Sequence, residues 1–290
     1  LDLDPVRFLV AEIFASNIGG AATLIGDPPN MIIGSEAGIS FADFAVQLTP
    51  VILIELIVLA AILWVLMAKS SVVSDDRRTH IMSLDPAHAI TDVPLLKKSI
   101  AVLAFTIIGF MTHGLIHVEP AFIAMAGAAA LMLIGRIDPA EAFKSVHWTT
   151  LFFFIGLFMM VGGLIENGVL IKIQEWLISI TGDDLNTLAI VLLWFSGVVS
   201  AIVDNIPYAA TMVPIIMEIA HDDPATGISV LWWSLSLGAN LGGNFTVIGA
   251  AANVLVSGAA KAEGHPISFM YFLKYGVIVS SATLAVASGY

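Results

Sequence analysis

The chain has 290 residues, 58% hydrophobic and only 12% charged, with a formal net charge of −12. That balance is far from an ordinary soluble domain, and without a basic stripe to neutralise phosphates it excludes nucleic acid as a partner. Cysteine is absent, which removes disulfides, thiolate metal sites and cysteine nucleophiles.

Hydropathy along the chain argues for a membrane. A helix needs roughly 20 apolar residues to cross a bilayer core. Thr49 to Ala68 carries one charge, Glu55, and Ser99 to His117 carries no Asp, Glu, Lys or Arg. Ala121 to Gly135 and Thr149 to Ile165 are also uncharged, and Ala225 to Ala260 runs 36 residues without a charge. A soluble bundle would need polar faces on these stretches. The expected fold is an all-α polytopic membrane protein.

The chain repeats itself. Asn17-Ile-Gly19-Gly20-Ala-Ala-Thr23-Leu-Ile-Gly26-Asp27-Pro-Pro-Asn30 reappears as Asn240-Leu-Gly242-Gly243-Asn244-Phe-Thr246-Val-Ile-Gly249-Ala-Ala-Ala-Asn253, with seven of fourteen positions identical at an offset of 223. Ile39-Ser40-Phe41 recurs as Ile267-Ser268-Phe269 after a five-residue insertion.

Lys and Arg counts in short loops set the orientation. The loop 69–98 holds five and belongs in the cytoplasm, and Arg136 and Lys144 bring a later loop back to that side. His117 to Pro120, Glu166 to Asp184 and His221 to Pro224 are poor in basic residues and belong outside. Residues 186–220 therefore leave and return to one side as a hairpin. With a helix over 49–68 entering from outside, Ser35 to Phe44 is outside, and the two motif copies run antiparallel. Inverted repeats with broken helices are an architecture of secondary transporters. The organisation that follows is the end of a first repeat over 1–68 and a connecting loop over 69–98. A second repeat over 99–290 contains scaffold helices, the re-entrant hairpin 186–220, a broken helix 225–260 and a last helix 270–290.

Thirty-six residues as one straight helix would measure about 54 Å against a core of about 30 Å. Gly weakens a helix by roughly 1 kcal/mol relative to Ala, so the break falls at Gly242-Gly243 and, in the first copy, at Gly19-Gly20 followed by Asp27-Pro-Pro. A break frees backbone polar groups, which is tolerable only where they line a cavity or meet a ligand. The half-helix beyond presents its positive end to an anion or polar oxygen. Asn amides and Thr hydroxyls supply further donors and acceptors. The expected substrate or ion site is Asn17, Gly19, Gly20, Thr23, Asp27 and Asn30 with Asn240, Gly242, Gly243, Asn244, Thr246 and Asn253. The competing reading is that these amides only patch the freed backbone.

Val203-Asp204-Asn205-Ile206-Pro207 between apolar limbs reads as the tip of the hairpin, and Asp204, Asn205 and Pro207 join the expected site. An acid at membrane depth is costly and points to function; at the cytoplasmic interface Asp204 would simply be wet. Asp204 is expected within reach of Asn240 and Asn244. Glu55 either faces the bundle interior or makes a tolerated polar contact. Glu12, one turn before the first break, is placed to face the cavity, and Glu218 lies toward the outer surface. His113 reads as interfacial, and Trp148, Trp176, Trp232, Tyr271 and Tyr275 as an aromatic belt.

At these motifs the sequence resembles the ion transporter superfamily, closest to arsenite efflux permeases, the pigmentation P protein group and citrate-transporter-like permeases. The strings Ser16 to Asn30, Val203 to Pro207 and Asn240 to Asn253 carry the resemblance, which extends over essentially the whole chain. It implies two inverted halves, each with a re-entrant hairpin and a discontinuous helix, assembled as a homodimer in the cell (inner) membrane. It implies alternating access coupled to a proton or sodium gradient, no cofactor and no resident metal. Substrates in such a group are arsenite or antimonite, exchanged sodium and protons, or citrate and other carboxylates; Asp-Pro-Pro-Asn leans toward the arsenite and P protein side. Asn205 precedes Asn240 by 35 residues, so the first-half tip is expected upstream of residue 1 and the first half is expected to be incomplete. The expected activity is secondary transport of a small inorganic ion or oxyacid, with a sodium/proton antiporter and an anion channel as the other readings, and not an enzyme.

Overall fold

The computed structural model describes residues 4–67, 79, 82, 90–146, 148–181, 184–222 and 229–290. Most of the connecting loop 69–98, Asp183, and the run from Asp223 to Ile228 lie outside the described residues. The described residues form helices joined by turns, with no strand among them.

The helices are α1 (Pro5–Gly20), α2 (Pro28–Ala37), α3 (Phe41–Met67), α4 (Val93–Ile116), α5 (Pro120–Gly135), α6 (Pro139–Lys144), α7 (Trp148–Glu166), α8 (Val169–Thr181), α9 (Leu185–Ser200), α10 (Asn205–Asp222), α11 (Ser229–Gly242), α12 (Ala251–Ala262) and α13 (Phe269–Ser288). Their starts follow local chemistry. Asp4, Asp92 and Asp138 each accept a backbone N–H from the first turn of the helix behind them, and each of those helices carries Pro in its first two positions, where Pro's missing N–H costs nothing. Ser268 caps α13 by accepting from the Tyr271 N–H at 3.1 Å.

Among the described residues three helices are long and apolar enough to cross a membrane, within Phe41–Leu66, Val93–Ile116 and Phe269–Ser288. Shorter apolar helices occupy Pro120–Gly135 and Leu185–Ser200. In α4 only Phe110 is buried and in α5 nothing is, so their apolar surface faces outward, as lipid contact requires. The chain is an all-helical polytopic membrane protein.

Two expectations are corrected. The helix expected from Thr49 begins at Phe41 and runs through Pro50. Thr49 and Pro50 look like a helix start, but the Thr49 hydroxyl donates to the Ala22 carbonyl at 3.4 Å instead of capping. The N–H of Phe41 donates to Nε2 of His113 at 2.9 Å. Trp232, expected in an aromatic belt, is 6% exposed. It packs in an interior cluster with Leu188, Leu192, Ile215, Ile216 and Leu235, because burying its ring gains more than leaving it at an interface.

The chain divides into two compact units. In one, built around α4, α5 and α6, small residues let helices approach closely: Gly109 lies under Ile123 and Gly127 under Thr106, and Phe41 stacks on Phe110 at 5.8 Å. The other holds α1, α2, most of α3 and α8 through α13. At its centre α9 and α11 are nearly in backbone contact: a Cβ on Gly238 would meet the Leu193 carbonyl at 2.5 Å, and one on Gly242 would meet that of Gly197. Small residues spaced four apart are a general route to tight helix pairs in membranes. Ser200 adds a 2.7 Å bond to the Ala239 carbonyl.

Candidate functional site: two helix breaks locked by asparagines

The second unit interrupts its helices twice, over residues 21–27 and 243–250. The breaks are built alike. Asp27 has φ −146° and ψ 143°, and its repeat equivalent Ala250 has φ −152° and ψ 149°. The Gly26 N–H donates to the Thr23 carbonyl at 3.1 Å, and the Gly249 N–H to the Thr246 carbonyl at 3.2 Å. Gly20 lies against Gly26, and Gly243 against Gly249, too closely for a relaxed Cβ. At Gly26 and Gly249 a Cβ would fall within 3.0 Å of the facing glycine's carbonyl, so backbone meeting backbone requires glycine at those two positions.

Asparagine amides satisfy the carbonyls that each break frees. Nδ2 of Asn30 donates to the carbonyls of Gly20 and Thr23 at 3.1 and 2.9 Å. Nδ2 of Asn253 donates to those of Gly243 and Thr246 at 2.7 and 2.9 Å. The oxygen of each amide is then used across the repeat. Asn17 donates to Oδ1 of Asn253, and Asn240 donates to Oδ1 of Asn30, both at 2.7 Å. Each copy therefore closes its own break with its last asparagine and steadies the other copy's with its first.

Additions around this pattern differ. Asn17 also donates to Oδ1 of Asn244 at 2.8 Å, and Asn244 donates to the Phe14 carbonyl at 3.3 Å. Ser236 donates to Oδ1 of Asn30 at 2.9 Å. Ser236 was not among the expected residues; its signal was its place one turn before Asn240 in a long uncharged run. Asn17, Asn30, Asn240, Asn244 and Asn253 are all buried.

The turn between α9 and α10 meets both breaks through one residue. Asn205 donates its backbone N–H to the Gly249 carbonyl at 3.2 Å and its Nδ2 to Oδ2 of Asp27 at 2.8 Å. Asp204 is half-buried and accepts from the Ile206 N–H at 3.0 Å, so it caps α10, and none of its hydrogen bonds goes to Asn240 or Asn244. Pro207 lies in the first turn of α10, its carbonyl accepting from Thr211. Thr246 donates to the Ala201 carbonyl at 2.5 Å.

The other expected residues separate. Gly242 is held against the backbone of Gly197, a packing role, while nothing lies within 4 Å of a Cβ built on Gly19. Glu12 is exposed. Glu55 is wholly buried.

The two breaks differ most in the residues that begin their second half-helices. α2 starts Pro28-Pro29 behind the carboxylate of Asp27, whereas α12 starts Ala251-Ala252 behind the methyl of Ala250. Proline removes two N–H donors from the first end and a carboxylate adds negative charge; the second end keeps its donors and carries no charge. At the same backbone geometry the first break suits a cation and the second an anionic oxygen. Oδ1 of Asn205 and Oδ1 of Asn240 are buried acceptors without a protein donor among the described residues, which fits groups that a bound species completes.

Residues 1–238 match the family described as citrate transporter. The chain is 43% identical over 293 residues to an uncharacterized transporter of Mycobacterium tuberculosis, covering 100% of this chain and 68% of that protein. It is 43% identical over 291 residues to a 46 kDa membrane protein of Mycobacterium leprae, with 100% and 68% covered. It is 31% identical over 365 residues to the P protein of Homo sapiens, covering 98% of this chain and 43% of that protein. The chain belongs to the citrate transporter family, within the permease group that also contains the P protein.

Proposed function

We propose that the chain is an inverted-repeat secondary transporter that moves a small oxyanion or oxyacid by alternating access, bound between the two helix breaks and driven by a coupled proton or sodium ion. The observation that carries this is the reciprocal pair Asn17–Asn253 and Asn240–Asn30. Two motif copies that each complete the other form one site, and a site shared by two repeats is what alternating access needs.

The substrate oxygen goes to the start of α12, where the Ala251 and Ala252 N–H groups and the helix dipole favour negative charge. Asp27 and Asn205 take the coupling cation through oxygen ligands, with Asp204 close by on the hairpin. The family's description as citrate transporter supports a carboxylate, and the Asp-Pro-Pro-Asn string supports an arsenite-like oxyacid; both are small oxygen-rich species that the same N–H groups bind. A homodimer in the cell (inner) membrane completes the reading.

A sodium/proton antiporter is the second reading, favoured by two carboxylates, Asp27 and Asp204, at either side of Asn205. The intact protein in proteoliposomes separates the two. Uptake of labelled citrate or of arsenite under an imposed gradient supports the first. Proton release on sodium addition, with no uptake of either compound, replaces it with the second.

A further inference from the structure

Glu55 is a buried ionisable group that the two breaks do not use. It lies on the inner face of α3, where Leu48, Val51, Ile52 and Leu59 are its buried neighbours along the helix, and it is itself 0% exposed. Neither carboxyl oxygen has a protein hydrogen-bond partner among the described residues. Among the described residues the ion pairs are Asp4–Arg7 and Glu141–Lys144, and neither includes Glu55.

The repeat shows that packing does not demand an acid here. α3 begins at Phe41 and α13 at Phe269, which the Ile-Ser-Phe repeat aligns, and in that alignment Glu55 corresponds to Thr283. Thr283 is equally buried, and its hydroxyl donates to the carbonyls of Val279 and Ser280 in its own helix at 3.0 and 3.2 Å. One copy fills the position with a polar group that satisfies itself; the other fills it with a carboxyl that has no hydrogen-bond partner among the described residues. A bare carboxylate enclosed this way is strongly disfavoured, whereas a carboxylic acid carrying its proton is neutral. Asp27 differs, since Nδ2 of Asn205 donates to its carboxyl oxygen.

We propose that Glu55 is the proton-carrying group of the transport cycle. In the enclosed conformation its O–H bond is intact. In a conformation that wets the inner face of α3 from one side of the membrane, that bond breaks and the proton passes to a water oxygen; the carboxylate left behind stays hydrated until α3 is wetted from the other side, where it takes a proton from solvent before re-enclosure. This rests on the secondary-transporter reading and adds to it a proton, carried apart from the cation held at Asp27 and Asn205.

The test uses the intact protein, purified with carbon-13 glutamate for infrared spectroscopy and reconstituted for transport. A protonated-carboxyl band that shifts with the label at neutral pH and vanishes in Glu55→Gln is expected. Glu55→Gln should also lose uptake of citrate or arsenite driven by a pH gradient while keeping exchange at equal pH. Glu55→Thr, which copies the residue of the second repeat, should do the same and serves if the Gln variant does not fold. A band that is absent, or that survives in Glu55→Gln, overturns the proposal, as does pH-driven uptake retained in either variant. If the unsubstituted protein moves neither compound, the transporter reading fails instead, and the infrared band alone decides whether Glu55 holds the proton.

Discussion

Asn17 donates to Oδ1 of Asn253 at 2.7 Å across 236 positions of sequence, tying the end of α1 to the start of α12. Because Asn253 in turn holds the Gly243 and Thr246 carbonyls, one amide links the first half-helix of one repeat to the break of the other.

Removing that amide is expected to destabilise the protein. Asn253→Ala leaves the buried Gly243 carbonyl without its donor and the Thr246 carbonyl with the Gly249 N–H alone, at roughly 1–3 kcal/mol for the group left unsatisfied. Asn30→Ala is expected to match it, since Asn30 holds the Gly20 and Thr23 carbonyls in the same way. Thermal unfolding in detergent measures both. An unchanged melting temperature in either variant would mean that the amides are not what closes the breaks.

The asymmetry of the two half-helix starts gives a cleaner functional test. Ala251→Pro with Ala252→Pro copies Pro28-Pro29, and Ala250 already has the extended backbone that a following proline needs. The fold should tolerate the change, with a melting temperature close to that of the unsubstituted protein. Transport of citrate or arsenite should weaken, because two donors are lost from the proposed oxygen site. Full transport by a well-folded double variant would remove α12 from the substrate site.

Asp27→Asn keeps the shape of the side chain and an oxygen for Asn205 to donate to, while removing the charge. Folding should persist and gradient-driven uptake should fail. Counterflow and pH-jump measurements in proteoliposomes read the difference, and unaltered coupling would limit Asp27 to a role in holding the hairpin turn.

The glycines separate packing from chemistry. A Cβ at Gly238 would lie 2.5 Å from the Leu193 carbonyl, and overpacking of this kind costs about 1–3 kcal/mol. Gly238→Ala should therefore lower the melting temperature, and Gly242→Leu should do so more severely. Gly19→Ala, with nothing within 4 Å, should be neutral or raise it, since Ala favours a helix by roughly 1 kcal/mol over Gly. Equal effects at Gly238 and Gly19 would contradict the close α9–α11 approach.

Asp184, in the loop ahead of α9, accepts from both the hydroxyl and the N–H of Thr187, and these bonds hold its carboxyl below the usual carboxylate range. Its ionised form is the one favoured in the folded state, so its contribution is present above about pH 4 and disappears as pH falls through the lowered range. Asp184→Ala should lower the melting temperature at neutral pH and converge on the unsubstituted protein in acid. A difference that stays constant with pH would exclude the cap as its source.

Much of this protein was decided locally and was therefore legible in the sequence. Charge-free apolar runs require helices in a bilayer, because no other open structure satisfies the backbone there. The breaks at Gly19-Gly20 and Gly242-Gly243 follow from residues that weaken a helix where they stand, and the repeat lies in the letters themselves. What tertiary structure alone decided are pairings across hundreds of residues. Nothing near Asn30 indicates that its amide bonds to its own break on one side and to Asn240 on the other. The packing role of Gly242 depends on Gly197 lying opposite it, and the burial of Trp232 depends on α9 and α10 covering it. The isolation of Glu55 depends on what surrounds it and not on its neighbours in sequence. Propensity and hydropathy belong to a residue and its near neighbours, whereas a partner is set by the register in which packed helices meet, and that register is a property of the whole fold.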